Sequence, residues 1–234
     1  MNPGDTITSR NGYWERNTRW WRQLKLAIGD TEAYKYLIHF PEGYEEDENK
    51  TWPLMLFLHG AGERGTDLER VARHGPLREI RNGRDLPFIV VAPQCPANEG
   101  WDLPQLVQLI SETMEKHRVD ADRVYLTGLS MGGYGSFRLA AEAPELFAAV
   151  APICGGGDPR DAERLKDLPF WVFHGDQDTV VIPRRSEEMV EAIREAGNPN
   201  VEFTLYPGVR HDSWTQTYAN PEFYDWLLSH SRGE

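Results

Sequence analysis

The 234-residue sequence predicts a single α/β domain with a mostly parallel central sheet and helices on both of its faces. Three observations carry this. Short unbroken apolar runs, the pattern of strands covered on both sides, recur along the chain. Segments with helical spacing of apolar residues separate the later runs. The length suits one domain with a well-buried core and is short for two.

Eight strands are expected. "QLKLAIGD" (23–30) and "EAYKYLIHFP" (32–41) lie close together, as an antiparallel pair does. "WPLMLFLHG" (52–60), "FIVVAPQCP" (88–96), "RVYLTGLS" (123–130), "FAAVAPICGG" (147–156), "PFWVFHGD" (169–176) and "VEFTLYPG" (201–208) follow, mostly as short unbroken apolar runs of the doubly covered kind. In "DLPQLVQLISETMEKHR" the residues Leu103, Leu106, Val107, Ile110 and Met114 share one helical face. Further helices are expected over about Asp67 to Ile80, Gly132 to Ala143, Arg184 to Ala196 and Pro221 to His230. "YEEDENKTW" is a charge run of the kind found in solvated loops. No repeat, linker or low-complexity tract interrupts residues 1–234, so one domain is expected, with 1–22 as an N-terminal extension of unassigned role.

Composition excludes several functions. A net charge of −12 opposes binding to nucleic acid and to anionic membrane surfaces. No run of about 18 apolar residues is present, so no membrane span is expected. The N-terminus lacks a signal-type apolar core, which leaves a cytoplasmic chain or one whose leader is absent. The two cysteines, Cys95 and Cys154, exclude a disulfide scaffold and leave a single bond between them open.

The run Gly128-Leu129-Ser130-Met131-Gly132 is a G-x-S-x-G pattern between an expected strand and an expected helix. By average residue usage such a pattern arises by chance in about one chain of this length in ten, so its weight comes from that position. There it makes a sharp turn that holds a nucleophilic serine above the sheet, where glycines let strand and helix approach closely. The competing interpretation is a serine capping a helix.

A serine hydroxyl needs a base. Of seven histidines, His59 and His174 precede glycines at strand ends and suit structural hydrogen bonds. His39, His74, His117 and His230 have no partner signal. His211, in "YPGVRHDSW" after the final strand, occupies the place of the third member in this chain order. Asp176 and Asp178 in "HGDQDTVVIP" are both candidates to orient it, and the residues alone do not separate them. Backbone N–H groups must also meet the developing oxyanion. Met131, after the serine, supplies one, and the small-residue loop of "LHGAGERG" supplies the other through Ala61, with Gly62 as substitute.

Taken in order, "LHGAGERG", "GLSMGG", "HGDQDTVVIP" and "YPGVRHDSW" resemble a serine α/β-hydrolase of the phospholipase/carboxylesterase group, nearest to its small single-domain, predicted-peptidase-like esterases. "VVAPQCPANEGWD" resembles the same subgroup, and the resemblance runs from about Tyr34 onward. It implies an α/β-hydrolase fold, acyl transfer to water through an acyl-serine, and no cofactor or metal. The family's H-G-x-x-D pattern makes Asp178 the acid. No stretch between Leu139 and Pro169 is left for a cap domain, so an open site is expected. Trp14, Trp20 and Trp21 match nothing in the family.

A cysteine at the elbow would point to a dienelactone-type hydrolase and an aspartate to a dehalogenase; the residue is Ser130. Cys154 suits a packed thiol. No histidine or carboxylate pair has metal-ligand spacing. Gly62, Arg64, Trp101 and Trp214 are candidate pocket residues, against the alternatives of a plain Gly-rich turn, a surface arginine and core packing. The expected substrates are small-molecule esters of short to medium acyl groups. Feruloyl or acetyl polysaccharide esters, acyl-thioesters and short peptides are alternatives, as is a non-catalytic binding module on the same scaffold.

Overall fold

The computed structural model describes residues 7–10, 13–16, 26–31 and 34–233. Its strands are β1 (Ile7–Arg10), β2 (Tyr13–Arg16), β3 (Leu26–Asp30), β4 (Lys35–His39), β5 (Trp52–Leu58), β6 (Ile89–Pro93), β7 (Val119–Leu129), β8 (Ala149–Ile153), β9 (Phe170–Gly175) and β10 (Val201–Tyr206). They form one sheet in the order β1-β2-β3-β4-β6-β5-β7-β8-β9-β10. Pairing from β1 through β4 to β6 is antiparallel, and β5 to β10 run parallel. The α-helices are α1 (Gly75–Arg81), α2 (Leu103–Lys116), α3 (Met131–Glu142), α4 (Arg184–Glu195), α5 (Trp214–Ala219) and α6 (Pro221–Leu228). The chain has the α/β-hydrolase fold, with no cap: a 3-10 turn (Pro159–Leu165) is the helical element between β8 and β9.

The unbroken apolar runs form central strands because both faces of the sheet are covered. In β5, Leu54, Leu56 and Leu58 enter one apolar core while Met55 and Phe57 enter the other. In β6, Ile89 and Val91 divide from Val90 and Ala92 in the same way. Such alternation into two dry layers removes the polar positions that a half-exposed strand would show. Helix α2 starts where the Asp102 carboxylate accepts the Gln105 N–H at 3.1 Å, with proline in its first turn.

Three features differ from expectation. Strands β1 and β2, "ITSR" and "YWER", lie inside the 1–22 segment, where no apolar alternation announces a strand; Tyr13 and Trp14 pair with Gly29 and Ile28. Trp20 and Trp21 lie outside the described residues. The single helix expected over Asp67–Ile80 is instead a 3-10 helix (Leu68–Arg73) followed by α1. His74 between them is extended (φ −134°, ψ 175°) and Gly75 has φ 72°; Pro76 restricts Gly75 and lacks the N–H that would continue the first helix into the second. Helix α5 is an addition between β10 and the expected last helix.

Because β5 and β7 to β10 point the same way, their carboxyl ends share one edge of the sheet. The loops that follow them carry His59 to Gly62, Ser130, Cys154, Asp178 and His211 to that edge. This is where ligands collect in open α/β sheets.

Candidate active site

Ser130 ends β7 and opens α3 with φ 54° and ψ −113°, a region that side chains rarely occupy. The packing around it explains why that strain persists. A Cβ on Gly132 would lie 1.9 Å from Leu58 O, and one on Gly128 would lie 2.4 Å from Gly132 O. Strand, helix and the end of β5 therefore meet backbone to backbone, and any side chain there would push them apart. Ser130 N–H donates to Ile153 O at 2.9 Å, which ties the turn to β8. The hydroxyl is left at a partly exposed position.

His211 Nε2 lies 3.0 Å from Ser130 Oγ, and His211 Nδ1 lies 2.6 Å from Asp178 Oδ2. Asp178 is buried, and its Oδ1 accepts the Val180 N–H at 2.8 Å and the Val181 N–H at 3.0 Å. Burial alone would raise this carboxyl; the His211 hydrogen bond and the two amides outweigh it and hold the group below its ordinary value. Asp176 faces solvent and accepts the Gly208 N–H at 2.7 Å, a turn contact away from His211. Geometry thus separates two aspartates that the residues alone leave equal.

The loop after β5 is a 3-10 turn over Ala61–Glu63, packed against the elbow. A Cβ on Gly60 would meet Leu129 Cδ1 at 2.8 Å. Buried His59 braces this loop. Cys95 N–H donates to its Nε2 at 2.9 Å, so the ring proton sits on Nδ1 and is donated to Gly60 O at 2.6 Å. Burial lowers His59 to about 4, so the ring is neutral around neutral pH. Three longer side chains hold the same segment. Arg64 donates to Ala61 O and Glu99 O, both at 3.1 Å; Arg70 donates to Gly62 O at 2.6 Å; and Gln94 donates to Glu63 O at 2.8 Å. The loop's carbonyls are thereby turned towards these donors. Ala61 and Gly62 are exposed, and Met131, first residue of α3, is partly exposed.

The remaining candidates divide. Trp214 is partly exposed and sets its ring edge-on to His211, centroids 5.2 Å apart at 90°. Trp101 is 4% exposed and packs on His59 and Tyr34, with centroids at 4.8 and 5.8 Å. It is a core residue beneath the loop after β5, because α3 approaches closely enough at Gly135 for the indole to fill the gap. Arg64 is committed to two carbonyls of its surroundings.

Cys95 and Cys154 are both buried free thiols. Ligand atoms of Cys154, Asp178 and His211 lie within 4.8 Å of one another. Burial pushes the Cys154 thiol up to about 12, however, and Asp178 and His211 are already paired, so this trio is a poor donor set for a metal. Sequence reasoning missed the proximity of Cys154 to this pair, and the parts of Arg70, Gln94 and Ser186. Long-range contacts of this kind leave no local signal.

Similarity to known proteins follows this geometry. The dienelactone hydrolase family matches residues 103–222, just over half of the chain. The solved structure of a thermostable esterase is 35% identical with a TM-score of 0.79, over 89% of this chain and 64% of that one. Poly(3-hydroxyalkanoate) depolymerase C of Paucimonas lemoignei is 43% identical over 145 residues, which is 55% of this chain and 32% of that protein. Feruloyl esterase B of Thermothelomyces thermophilus is 28% identical over 223 residues, covering 70% of this chain and 72% of that protein. The chain spans half or less of the length of several curated relatives it matches.

Proposed function

The chain belongs to the dienelactone hydrolase family, and on that premise we propose that it hydrolyses carboxylic esters through an acyl-serine intermediate. One observation carries the reading: a single histidine, His211, bridges Ser130 Oγ at 3.0 Å and the buried Asp178 carboxylate at 2.6 Å. Cysteine at the elbow was the mark expected of a dienelactone-type hydrolase, and this member carries serine. Serine is the weaker nucleophile at neutral pH, so the base and its orienting acid matter more here than they would to a thiolate.

In the proposed mechanism, His211 Nε2 takes the Ser130 proton as Oγ bonds to the ester carbonyl carbon. The carbonyl electron pair moves onto oxygen, where the Met131 and Ala61 amides meet it. Collapse restores the carbonyl and expels the alcohol oxygen, which takes the proton from His211. Water then attacks the acyl-serine with His211 again as base, and the acid leaves as Ser130 regains its proton. Asp178 keeps the imidazole oriented with its proton on Nδ1 and stabilises the imidazolium. Residues 1–234 act as one catalytic domain, and the substrates are small-molecule esters of short to medium acyl chain. The mechanism uses no cofactor.

Relatives named feruloyl esterases favour a second reading, in which the same groups release hydroxycinnamic acids from polysaccharide. Hydrolysis of p-nitrophenyl esters from acetate to laurate, with methyl ferulate alongside, tests both. The first reading expects turnover of short p-nitrophenyl esters by wild type and none above background by Ser130→Ala. Activity confined to the ferulate transfers the weight to the second, and Ser130→Ala retaining wild-type turnover overturns the mechanism.

A further inference from the structure

The Asp178 carboxylate has a second histidine on it, which the mechanism above does not use. His174, on β9, is buried, and its Nε2 lies 3.2 Å from Asp178 Oδ2 and 2.8 Å from Val181 O. Both of those oxygens only accept at neutral pH, so Nε2 carries a proton and shares it between them. On the other side of the ring, Nδ1 lies 2.7 Å from Ser186 Oγ on α4, and Ser186 Oγ lies 3.0 Å from Gly155 O after β8. The hydroxyl has one proton for two acceptors. If it goes to Nδ1, His174 is neutral; if it goes to Gly155 O, the ring must be a cation. Burial disfavours the cation and lowers His174 from its ordinary value, and the titratable groups that face it are Asp178 and His211.

We propose that His174 is a positioning residue for the esterase reaction: its Nε2–H fixes the Asp178 carboxylate and the loop behind it, so that Oδ2 is aimed at His211. The geometry supports this from both ends. His174 is anchored through Ser186 on α4 and Gly155 after β8, both outside the loop that carries Asp178. Through Val181 O and Oδ2 it grips that loop at two points three residues apart. Without the shared proton, Oδ2 would keep His211 as its one side-chain donor, and the carboxylate could rotate about the amides of Val180 and Val181. The inference rests on the triad reading.

The test compares His174→Phe, which keeps a ring and loses the donor, with His174→Gln, whose amide nitrogen reaches the same place. Steady-state kcat and KM are measured on p-nitrophenyl acetate, with Ser130→Ala as reference. We expect His174→Phe to lower kcat by about 10- to 100-fold with little change in KM, the loss typical of removing an outer support of an active-site group, and His174→Gln to recover most of it. A folded His174→Phe with wild-type kcat, or a folded His174→Gln as impaired as the phenylalanine variant, overturns the proposal. Nitrogen NMR of wild type supplies a check independent of folding: a neutral Nε2–H tautomer supports it, and a bare Nε2 overturns it. If Ser130→Ala stays active, the triad reading itself has failed; if it is dead while His174→Phe is normal, this inference alone has.

Discussion

Replacing Asp178 by asparagine keeps the size of the side chain and changes what it can accept. The carboxylate takes four donors: the amides of Val180 (2.8 Å) and Val181 (3.0 Å) at Oδ1, and His211 Nδ1 (2.6 Å) and His174 Nε2 (3.2 Å) at Oδ2. An amide side chain has one accepting oxygen, and every partner here is a donor. If that oxygen stays on the two backbone amides, the new NH2 group faces His211 and must donate to Nδ1. The imidazole proton then moves to Nε2, the atom that has to accept from Ser130. The reverse orientation leaves two part-buried backbone N–H groups facing an NH2, at up to about 1–3 kcal/mol each. The first orientation wins, and the base is held in the wrong tautomer. The equivalent change in a trypsin-like protease lowers kcat about 10⁴-fold, or about 5 kcal/mol, and we expect a loss of that size here. The assay is steady-state hydrolysis of p-nitrophenyl acetate at pH 8 by folded Asp178→Asn. A kcat within about tenfold of wild type would refute the tautomer argument, since a single lost tenfold step is about 1.4 kcal/mol.

Two further outcomes are expected. Gly132→Ala sets a methyl 1.9 Å from Leu58 O; it should cost about 1–3 kcal/mol or more and lower Tm by several degrees, with loss of turnover, and an unchanged melting curve would refute the backbone-contact account. His59 is lowered to about 4 from 6.5, so the unfolded chain takes up a proton between those values while the folded ring does not. Stability therefore falls as pH drops across that window, by about 1.4 kcal/mol per pH unit for this ring. Urea unfolding of His59→Gln should show a slope shallower by that amount, and an equal slope would contradict a neutral buried ring.

Much of the molecule could be written down from the order of its residues. The central strands follow from apolar runs because a strand covered on both faces has no position for a polar side chain. The turn at Ser130 follows from Gly128 and Gly132, since a Cβ at either would strike backbone. His211 follows from its place after the last parallel strand. These are local properties, or consequences of chain order in a parallel sheet. Strands β1 and β2 escaped because "ITSR" and "YWER" are only four residues each and show no apolar alternation, while their pairing at the sheet's antiparallel edge is a tertiary matter. The division of labour between Asp176 and Asp178 depends on which carboxylate the loop turns inward. Trp101 lies in the core because α3 passes it at Gly135. The braces on the loop after β5, and the second histidine on Asp178, join residues far apart in the chain or on different elements. By itself the sequence determined the sheet, the elbow and the types of group available for chemistry, because periodicity and steric exclusion act over a few residues. Tertiary structure alone decided which of those groups share a proton, because a hydrogen bond depends on tenths of an ångström between elements that are far apart in the chain.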